Sequence, residues 1–332
     1  MYRAATGRSV LAMNSSSDVP AGSPAVYTQG LCKRFGSRVA LDGVDLEVPS
    51  GCAFGVIGPN GAGKTTLIRL LLGLAEPSAG RVRVLGRDLP TERPEALARV
   101  GAIIEEPSFC AHLTGRENLE VYAAARCRAA RGRIDESLER LGLAARAGDK
   151  VRTYSLGMRQ RLGVARCLLA DPQLLILDEP MNGLDPAGML EFRGLIRELV
   201  AEGRSVLLSS HLLDEVEKVC DFAAIVDDGR VVARGSIAEL LGGGRRVLEI
   251  GGDPTAEAHI LLARMPEVAS VEERDGRLLV ALTPDASPNR ELVPRVLRRL
   301  LAGGIAVVSV VPVATSLEQR FLSMTTPLEE RS

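Results

Sequence analysis

The chain contains no tryptophan, and only 3% of its residues are aromatic. Stacking of successive bases needs aromatic platforms, so general single-strand nucleic-acid binding is excluded. A basic surplus is missing too. The 41 basic and 42 acidic residues leave a formal charge of −1, where nucleic-acid binders are normally basic. Lysine is scarce: Lys33, Lys64, Lys150 and Lys218 are the only four, and the remaining basic residues are arginine. That bias reads as a GC-rich genome rather than a binding surface. The six cysteines, Cys32, Cys52, Cys110, Cys127, Cys167 and Cys220, include no C-x-x-C pair. They are expected to be reduced thiols, not a disulfide framework or a zinc site. Apolar runs are all too short to span a membrane, which takes about 20 residues. Residues 1–24 have Arg3 and Arg8 but no apolar stretch behind them, and read as a disordered tail rather than a signal peptide.

What is present is ample apolar content, 46% over 332 residues, enough for two domains. One stretch organises the chain. Gly58, Pro59, Asn60, Gly61, Ala62, Gly63, Lys64, Thr65 and Thr66 fit the pattern G-x-x-x-x-G-K-[ST]. The apolar strand Ala53 to Ile57 precedes it and the apolar helix from Leu67 to Leu72 follows. Glycines let consecutive N–H groups curl around phosphate oxygens, and the helix N-terminus adds partial positive charge. Lys64 would reach the β- and γ-phosphates and Thr65 would hold Mg²⁺.

The chain in order starts with strands at Val26 to Leu31 and Ala40 to Val48, with Phe35 expected in the turn between them. An aromatic there suits either adenine stacking or a hydrophobic plug. Further strands are expected at Arg81 to Leu85 and Gly101 to Ile104, the latter ending in Glu105-Glu106-Pro107. From Thr114 to about Leu143 the pattern is helical, opened by Thr114-Gly-Arg-Glu117 as a capping box. Tyr154-Ser-Leu-Gly-Met158 precedes another helix. Leu174-Leu-Ile-Leu177 reads as a strand buried on both faces, and it ends in Asp178 and Glu179, where open α/β sheets bind ligands. A helix from Pro186 to Ala201, a strand Ser205 to Ser209 ending at Ser210-His211, a helix to Val219 and a hairpin around Asp227 to Gly229 follow. Gly242-Gly-Gly-Arg-Arg246 is the expected domain boundary. Beyond it the order is β-α-β-β-α-β, the ferredoxin-like series, then a short helix from Ser316 to Ser323.

Residues 25–241 together resemble the ATP-binding subunit of an ABC transporter, with a helical subdomain at about 106–165. The order of motifs carries the resemblance: the loop 58–66, Glu105, Tyr154 to Met158, Leu174 to Glu179, Asn182-Gly-Leu-Asp-Pro186 and His211. It implies a P-loop α/β fold of ABC type: a parallel α/β core, an antiparallel β edge region and the helical subdomain. A C-terminal ferredoxin-like α+β domain over 245–332 completes the expected architecture. It also implies roles: Asp178 helps hold Mg²⁺, Glu179 is the general base, His211 senses the γ-phosphate and Phe35 stacks on adenine. Ser155 and Gly157 match the signature loop, which contacts ATP held by the opposite subunit, and Asp185 matches the loop crossing the dimer interface. By themselves Ser155 and His211 read as an N-cap and a satisfied loop histidine. Two copies would sandwich two ATP molecules, on the cytoplasmic face of the membrane, docked to an integral permease encoded as a separate chain. No nucleic-acid partner is expected.

Two departures narrow the resemblance. The signature reads Tyr-Ser-Leu-Gly-Met where the general family has Leu-Ser-Gly-Gly-Gln, and Glu105 stands where the family has Gln. Both are similar to bacterial exporters conferring bacitracin resistance or lantibiotic immunity. Glu105 is therefore expected near Mg²⁺ and the attacking water, the alternative being a solvated loop residue. The competing functional class is a non-transport ABC ATPase with a regulatory or ribosome-associated role.

Overall fold

The structure, a computed structural model, describes residues 23–126, 128–241, 247–252, 255–274, 276–283, 292–313, 317, 318 and 321. The expected tail at 1–22, the boundary at 242–246, Cys127 and most of the last helix lie outside the described residues.

Strands β1 (Val26–Phe35) and β2 (Arg38–Val48) form a hairpin, and β3 (Ala53–Ile57) leaves it for a second sheet. Strands β4 (Ala79–Val84) and β5 (Arg87–Leu89) return to the hairpin, giving an antiparallel sheet ordered β2-β1-β4-β5. The hairpin turn is tighter than the sequence suggests. Gly36 takes φ 59°, Phe35 pairs with Arg38, and Phe35 ends a strand instead of sitting in a loop.

The second sheet holds β6 (Val100–Ile103), β7 (Leu174–Leu177), β8 (Ser205–Ser210), β9 (Phe222–Asp227) and β10 (Arg230–Ser236) with β3. Its order is β10-β9-β3-β8-β7-β6. All neighbours are parallel except β10, which pairs antiparallel with β9 at the edge. Every residue of β3, β7 and β8 is buried. The reason for the unbroken apolar run in β7 is visible in its packing. Leu175 and Leu177 join one hydrophobic cluster with the helical region, while Leu174 and Ile176 join a second cluster with the antiparallel sheet. Alternate side chains of a strand face opposite sides, so a strand between two layers needs apolar residues at every position.

Helix α1 (Lys64–Leu71) follows the glycine loop and α2 (Arg93–Leu97) follows β5. Over the long helical stretch the described helices are α3 (Gly115–Arg126), α4 (Arg128–Gly132) and α5 (Ile134–Arg140), with a turn at Arg133 between the last two. The capping box forms as expected: the Glu117 carboxylate accepts from Thr114 N at 2.7 Å, and Glu117 N donates to Thr114 Oγ1 at 3.1 Å. Gly142, at φ 64°, stops α5, with Leu143 N donating to Leu138 O at 2.8 Å. Then come α6 (Leu156–Leu168), α7 (Pro186–Ala201), α8 (Leu213–Val219) and α9 (Ile237–Leu240).

The third sheet contains β11 (Val247–Gly252), β12 (Val268–Arg274), β13 (Arg277–Leu282) and β14 (Val307–Val313). Its order is β12-β13-β11-β14, all antiparallel, with α10 (Ala256–Ala263) and α11 (Leu292–Ala302) as crossovers. This is the ferredoxin-like topology that the element series predicts. Its apolar cluster, including Leu248, Ile250, Leu262, Val280, Val296 and Leu300, is separate from the other two.

None of the described cysteines is in a disulfide. Burial pushes the Cys52 thiol up to about 12 and the Cys167 thiol to about 11, and raises Cys220 as well, so all three are inert as nucleophiles at neutral pH. Among the described residues no helix is long and apolar enough to cross a membrane.

Leu317 returns to the first cluster. It is fully buried there, and its N–H donates to Glu217 Oε2 on α8 at 3.2 Å. Leu317→Ala is expected to lower stability by about 2–4 kcal/mol, the usual cost of truncating a buried leucine. Chemical denaturation measures this; an unchanged midpoint would show that Leu317 does not complete the cluster.

Candidate functional site

The carboxyl ends of four neighbouring strands meet along one edge of the second sheet. β3 ends in the glycine loop, β8 in His211, β7 in Asp178 and Glu179, and β6 leads to Glu105. Ligands bind at this edge of open α/β sheets.

The loop is tightly constrained. A Cβ on Gly58 would lie 2.1 Å from Val226 O, and one on Gly63 would lie 2.7 Å from Ala40 O. Gly63 also has φ 106°, which disfavours any side chain. The β9–β10 turn supports the loop from behind: Gly229 N donates to Ala62 O at 3.0 Å, and Gly229 O accepts from Asp42 N at 2.9 Å. Helix α1 has no side-chain N-cap, so its first N–H groups have no intrahelical acceptor and face the loop's anion-binding end.

Lys64 is buried. Its Nζ donates to Gly58 O at 2.7 Å and Pro59 O at 3.2 Å, and lies 3.2 Å from Glu179 Oε1. The other oxygen of Glu179 meets His211 Nδ1 at 2.8 Å and accepts from His211 N at 3.3 Å. The contact orients the His211 ring against the Glu179 carboxylate. Glu179 sits at φ 47°, an unfavourable region for a residue with a side chain. Its N–H donates to Ser209 Oγ at 2.9 Å, and the Ser209 hydroxyl in turn donates to Asp178 Oδ1. Backbone strain held by surrounding hydrogen bonds is a mark of functional sites.

Ser209 is a site residue that the sequence reading missed. It is fully buried near the carboxyl end of β8, directly after the apolar residues Val206, Leu207 and Leu208, and a polar residue at that position of a core strand is the signal that could have found it.

Asp178 is 2% exposed, and no cation pairs with it among the described residues. A buried carboxylate whose only side-chain partner is a neutral hydroxyl suits a divalent cation. The Asp178 carboxylate therefore fits a divalent cation such as Mg²⁺.

Glu105 stands apart from this cluster. Its carboxylate is 68% exposed and pairs with Arg69 Nη2 of α1 at 2.9 Å. It too has a positive φ, 57°. Phe35 is 54% exposed, with Lys33 Nζ 4.9 Å from its ring centroid. Its hairpin partner β2 reaches the loop through Ala40 and Leu41, which crowd Gly63.

The structure does not join Ser155, Gly157 or Asp185 to the loop by any hydrogen bond among the described residues. Ser155 caps α6 by accepting from Met158 N at 3.2 Å, and Asp185 caps α7 by accepting from Gly188 N at 2.9 Å. The two segments touch each other: a Cβ on Gly183 would lie 2.8 Å from Leu156 Cδ2. The unusual signature residues are packing choices. Tyr154 is buried and its hydroxyl donates to Arg146 O at 2.7 Å, while Leu156 and Met158 pack on the first cluster. The backbone N–H groups at the start of α6 do not depend on those side chains.

One face of α6 holds the segment after Glu105. Arg159 Nε donates to Glu106 Oε1 at 2.7 Å while its Nη1 donates to Tyr154 O at 2.9 Å. One turn on, Gly163 admits Ile103 and Pro107, each within 2.9 Å of where its Cβ would stand. Arg166 then donates to Ser108 O at 3.3 Å and lies 5.2 Å from the Phe109 ring centroid. Positions 159, 163 and 166 share a helix face, so residues 106–109 and the signature loop are bound into one unit.

A glycine-rich phosphate cradle, a buried lysine and paired carboxylates at the ends of parallel strands define a P-loop nucleotide-binding protein. Residues 41–182 match the family described as ABC transporter. The chain is 41% identical over 317 residues to the uncharacterized ABC transporter ATP-binding protein YdbJ of Bacillus subtilis (strain 168), covering 92% of this chain and 97% of that protein. It is 39% identical to the daunorubicin resistance ATP-binding protein DrrA3 of Streptomyces coeruleorubidus, covering 91% and 96%. Identity is also 39% to the bacitracin transport ATP-binding protein BcrA of Bacillus licheniformis, covering 78% and 85%. A solved ATP-binding subunit of an ABC transporter superposes with TM-score 0.59 at 30% identity, over 65% of this chain and 91% of that one. The chain belongs to the ABC transporter family as an ATP-binding, ATP-hydrolysing subunit.

Arg159→Ala should leave ATP binding within about twofold and slow hydrolysis by roughly 3- to 30-fold, as expected for losing one to two kcal/mol of charge-assisted hydrogen bonding. Nucleotide titration and steady-state ATPase assays separate the two. Unchanged turnover would detach residues 106–109 from any catalytic influence.

Proposed function

We propose that the chain is the energy-coupling ATPase of a bacterial exporter for an antibiotic, peptide or drug-like substrate. Two copies close around two ATP molecules and drive a separate integral membrane permease from the cytoplasmic face. The single observation carrying the catalytic part is the Glu179 carboxylate held between Lys64 and His211. Similarity to proteins named for daunorubicin resistance and bacitracin transport supports export and its substrate class.

The chemistry follows from those contacts. Incoming phosphate oxygens compete with Glu179 and the Gly58 and Pro59 carbonyls for the Lys64 ammonium. Once Lys64 turns to the β- and γ-phosphates, Glu179 Oε1 is free to accept a hydrogen bond from the attacking water. The water oxygen bonds to the γ-phosphorus, the bond to the bridging oxygen breaks, and ADP leaves with that electron pair. His211, held against Glu179 through Nδ1, is placed to reach the γ-phosphate. Mg²⁺ held by Thr65 and Asp178 would supply charge neutralisation on the β- and γ-phosphates. Phe35 offers an exposed ring for adenine. Ser155, Gly157 and Asp185 act across the dimer on the partner's ATP, in keeping with their lack of contacts to the loop of their own chain. Glu105 reaches the metal side of the site only after giving up Arg69.

Glu179→Gln is expected to bind ATP, slow hydrolysis at least ~100-fold and accumulate as an ATP-bound dimer. Lys64→Ala should instead lose nucleotide affinity. ATPase rates with size-exclusion analysis in ATP test both, and near-normal turnover in Glu179→Gln would remove it as the base.

A mixed dimer of one Lys64→Ala chain and one Ser155→Arg chain tests the sharing of sites. If Ser155 acts on the partner's ATP, both defects fall on one site and the other stays intact. One ATP trapped per dimer is the expected count; damage at both sites would place the signature contact within a chain.

A further inference from the structure

The C-terminal ferredoxin-like unit has an open surface groove of about 630 Å³ between the carboxyl end of α10 and one side of α11, with its arginines exposed along it. Four guanidinium groups line it, with a single carboxylate among them. That carboxylate, Glu267, is already matched by Arg295. Arg299 donates through Nε to Leu261 O at 3.2 Å, capping the last turn of α10. The other two arginines are less committed. Arg298 reaches only the Pro294 carbonyl of its own helix, at 3.3 Å, and Arg264 has no hydrogen bond or ion pair with any described residue.

Helix carboxyl ends attract cations, which is the ordinary reason for arginines here. Each end carries about half a negative charge, and the two ends nearby leave an excess of roughly two positive charges. Arginine forks bind carboxylate and phosphate oxygens in pairs. The remaining lining is aliphatic, with Leu261, Met265 and Ala302. Gly303 keeps the rim open because Leu261 Cδ1 stands 2.3 Å from where its Cβ would be. No Phe, Tyr or Trp occurs between Phe222 and Phe321, so the groove offers no stacking surface for a nucleotide base. The volume suits a small organic ligand.

We propose that this groove binds an amphiphilic anion, a phosphate or carboxylate head on an aliphatic body, with Arg264 and Arg298 taking the head and Leu261, Met265 and Ala302 the body. The site is remote in sequence from the nucleotide machinery and does not depend on hydrolysis. It gives the C-terminal unit a ligand of its own.

The test uses the full chain with excess ADP, so that the glycine loop is occupied. Octyl phosphate, below its micelle concentration, is titrated calorimetrically beside inorganic phosphate and octanol. A second arm sediments the protein with vesicles of phosphatidylglycerol and phosphatidylcholine, against phosphatidylcholine alone. Octyl phosphate should bind at least ~10-fold more tightly than either fragment, and Arg264→Gln with Arg298→Gln should weaken it at least ~10-fold. The double variant must keep its far-ultraviolet spectrum and melting temperature; if it does not, Ala302→Leu, which fills the aliphatic side, replaces it with the same expected loss. Retention on the anionic vesicles alone, abolished by the same substitutions, identifies a membrane lipid as the source of the anion. Equal octyl phosphate binding by parent and variant, or no substitution-sensitive binding to either probe, overturns the proposal.

Discussion

The carboxylate of Glu179 is the point on which the site depends. One of its oxygens faces the buried ammonium of Lys64 and the other faces the ring of His211. Three sequence segments are thereby tied at one place, the first more than a hundred residues before the second and the second 32 before the third. The tie is possible because β3, β8 and β7 are adjacent and parallel, so their carboxyl ends deliver the three residues to the same edge. A lysine this buried needs a partner, since an uncompensated charge there would cost several kcal/mol. Glu179 and the two loop carbonyls supply it in the absence of phosphate. Phosphate supplies it better, carrying more charge on more oxygens. Phosphate oxygens that reached Lys64 would therefore release Glu179 from it.

The same logic extends outward. Ser209 connects the Glu179 backbone to the Asp178 carboxylate, so the base and the expected metal ligand share one hydroxyl. Glu105 is the exposed end of the set, paired with Arg69 on the helix that follows the phosphate loop. An exposed pair of this kind is worth at most about 1 kcal/mol, little enough to be exchanged during a catalytic cycle. The residues immediately after it are held far more firmly, by Arg159, by the close approach at Gly163 and by Arg166. Residues 106–109 are thus attached to the signature helix, while Glu105 itself stands in an exposed ion pair with Arg69.

Much of this was legible in the sequence, for physical reasons. The glycine loop announces itself because few residue types tolerate its backbone, and β7 because a strand between two layers must be apolar throughout. The ferredoxin-like order could be read from alternation and helix periodicity, and the antiparallel sheet ordered β12-β13-β11-β14 realises it. Phe35 was placed in a turn because the tight hairpin at Gly36 has no strong signature in Gly-Ser. The turn at Arg133 was not legible within the long helical stretch, since its Ala- and Arg-rich composition favours helix everywhere. Arg69, Arg159 and Arg166 were invisible for a different reason. In a chain whose basic residues are nearly all arginine, nothing in the residue type separates a tether from a solvated surface charge.

The signature segment shows how composition can change while the chemistry persists. Contact with a phosphate from a helix N-terminus comes from backbone N–H groups, which every residue but proline provides. Tyr154 replaces a smaller apolar residue at the cost of requiring Gly115, where a Cβ would lie 2.3 Å from the tyrosine hydroxyl. Leu156 and Met158 turn inward to the first cluster. The substitutions thus pack the start of α6 onto the helical region, and Ser155 keeps its place as the N-cap of α6. Packing changes behind the loop are compensated locally, through Gly115 and the Arg146 carbonyl, so they need no change in the groups that meet ATP. This is why residue-by-residue departure from the family pattern at 154, 156 and 158 is compatible with membership in it.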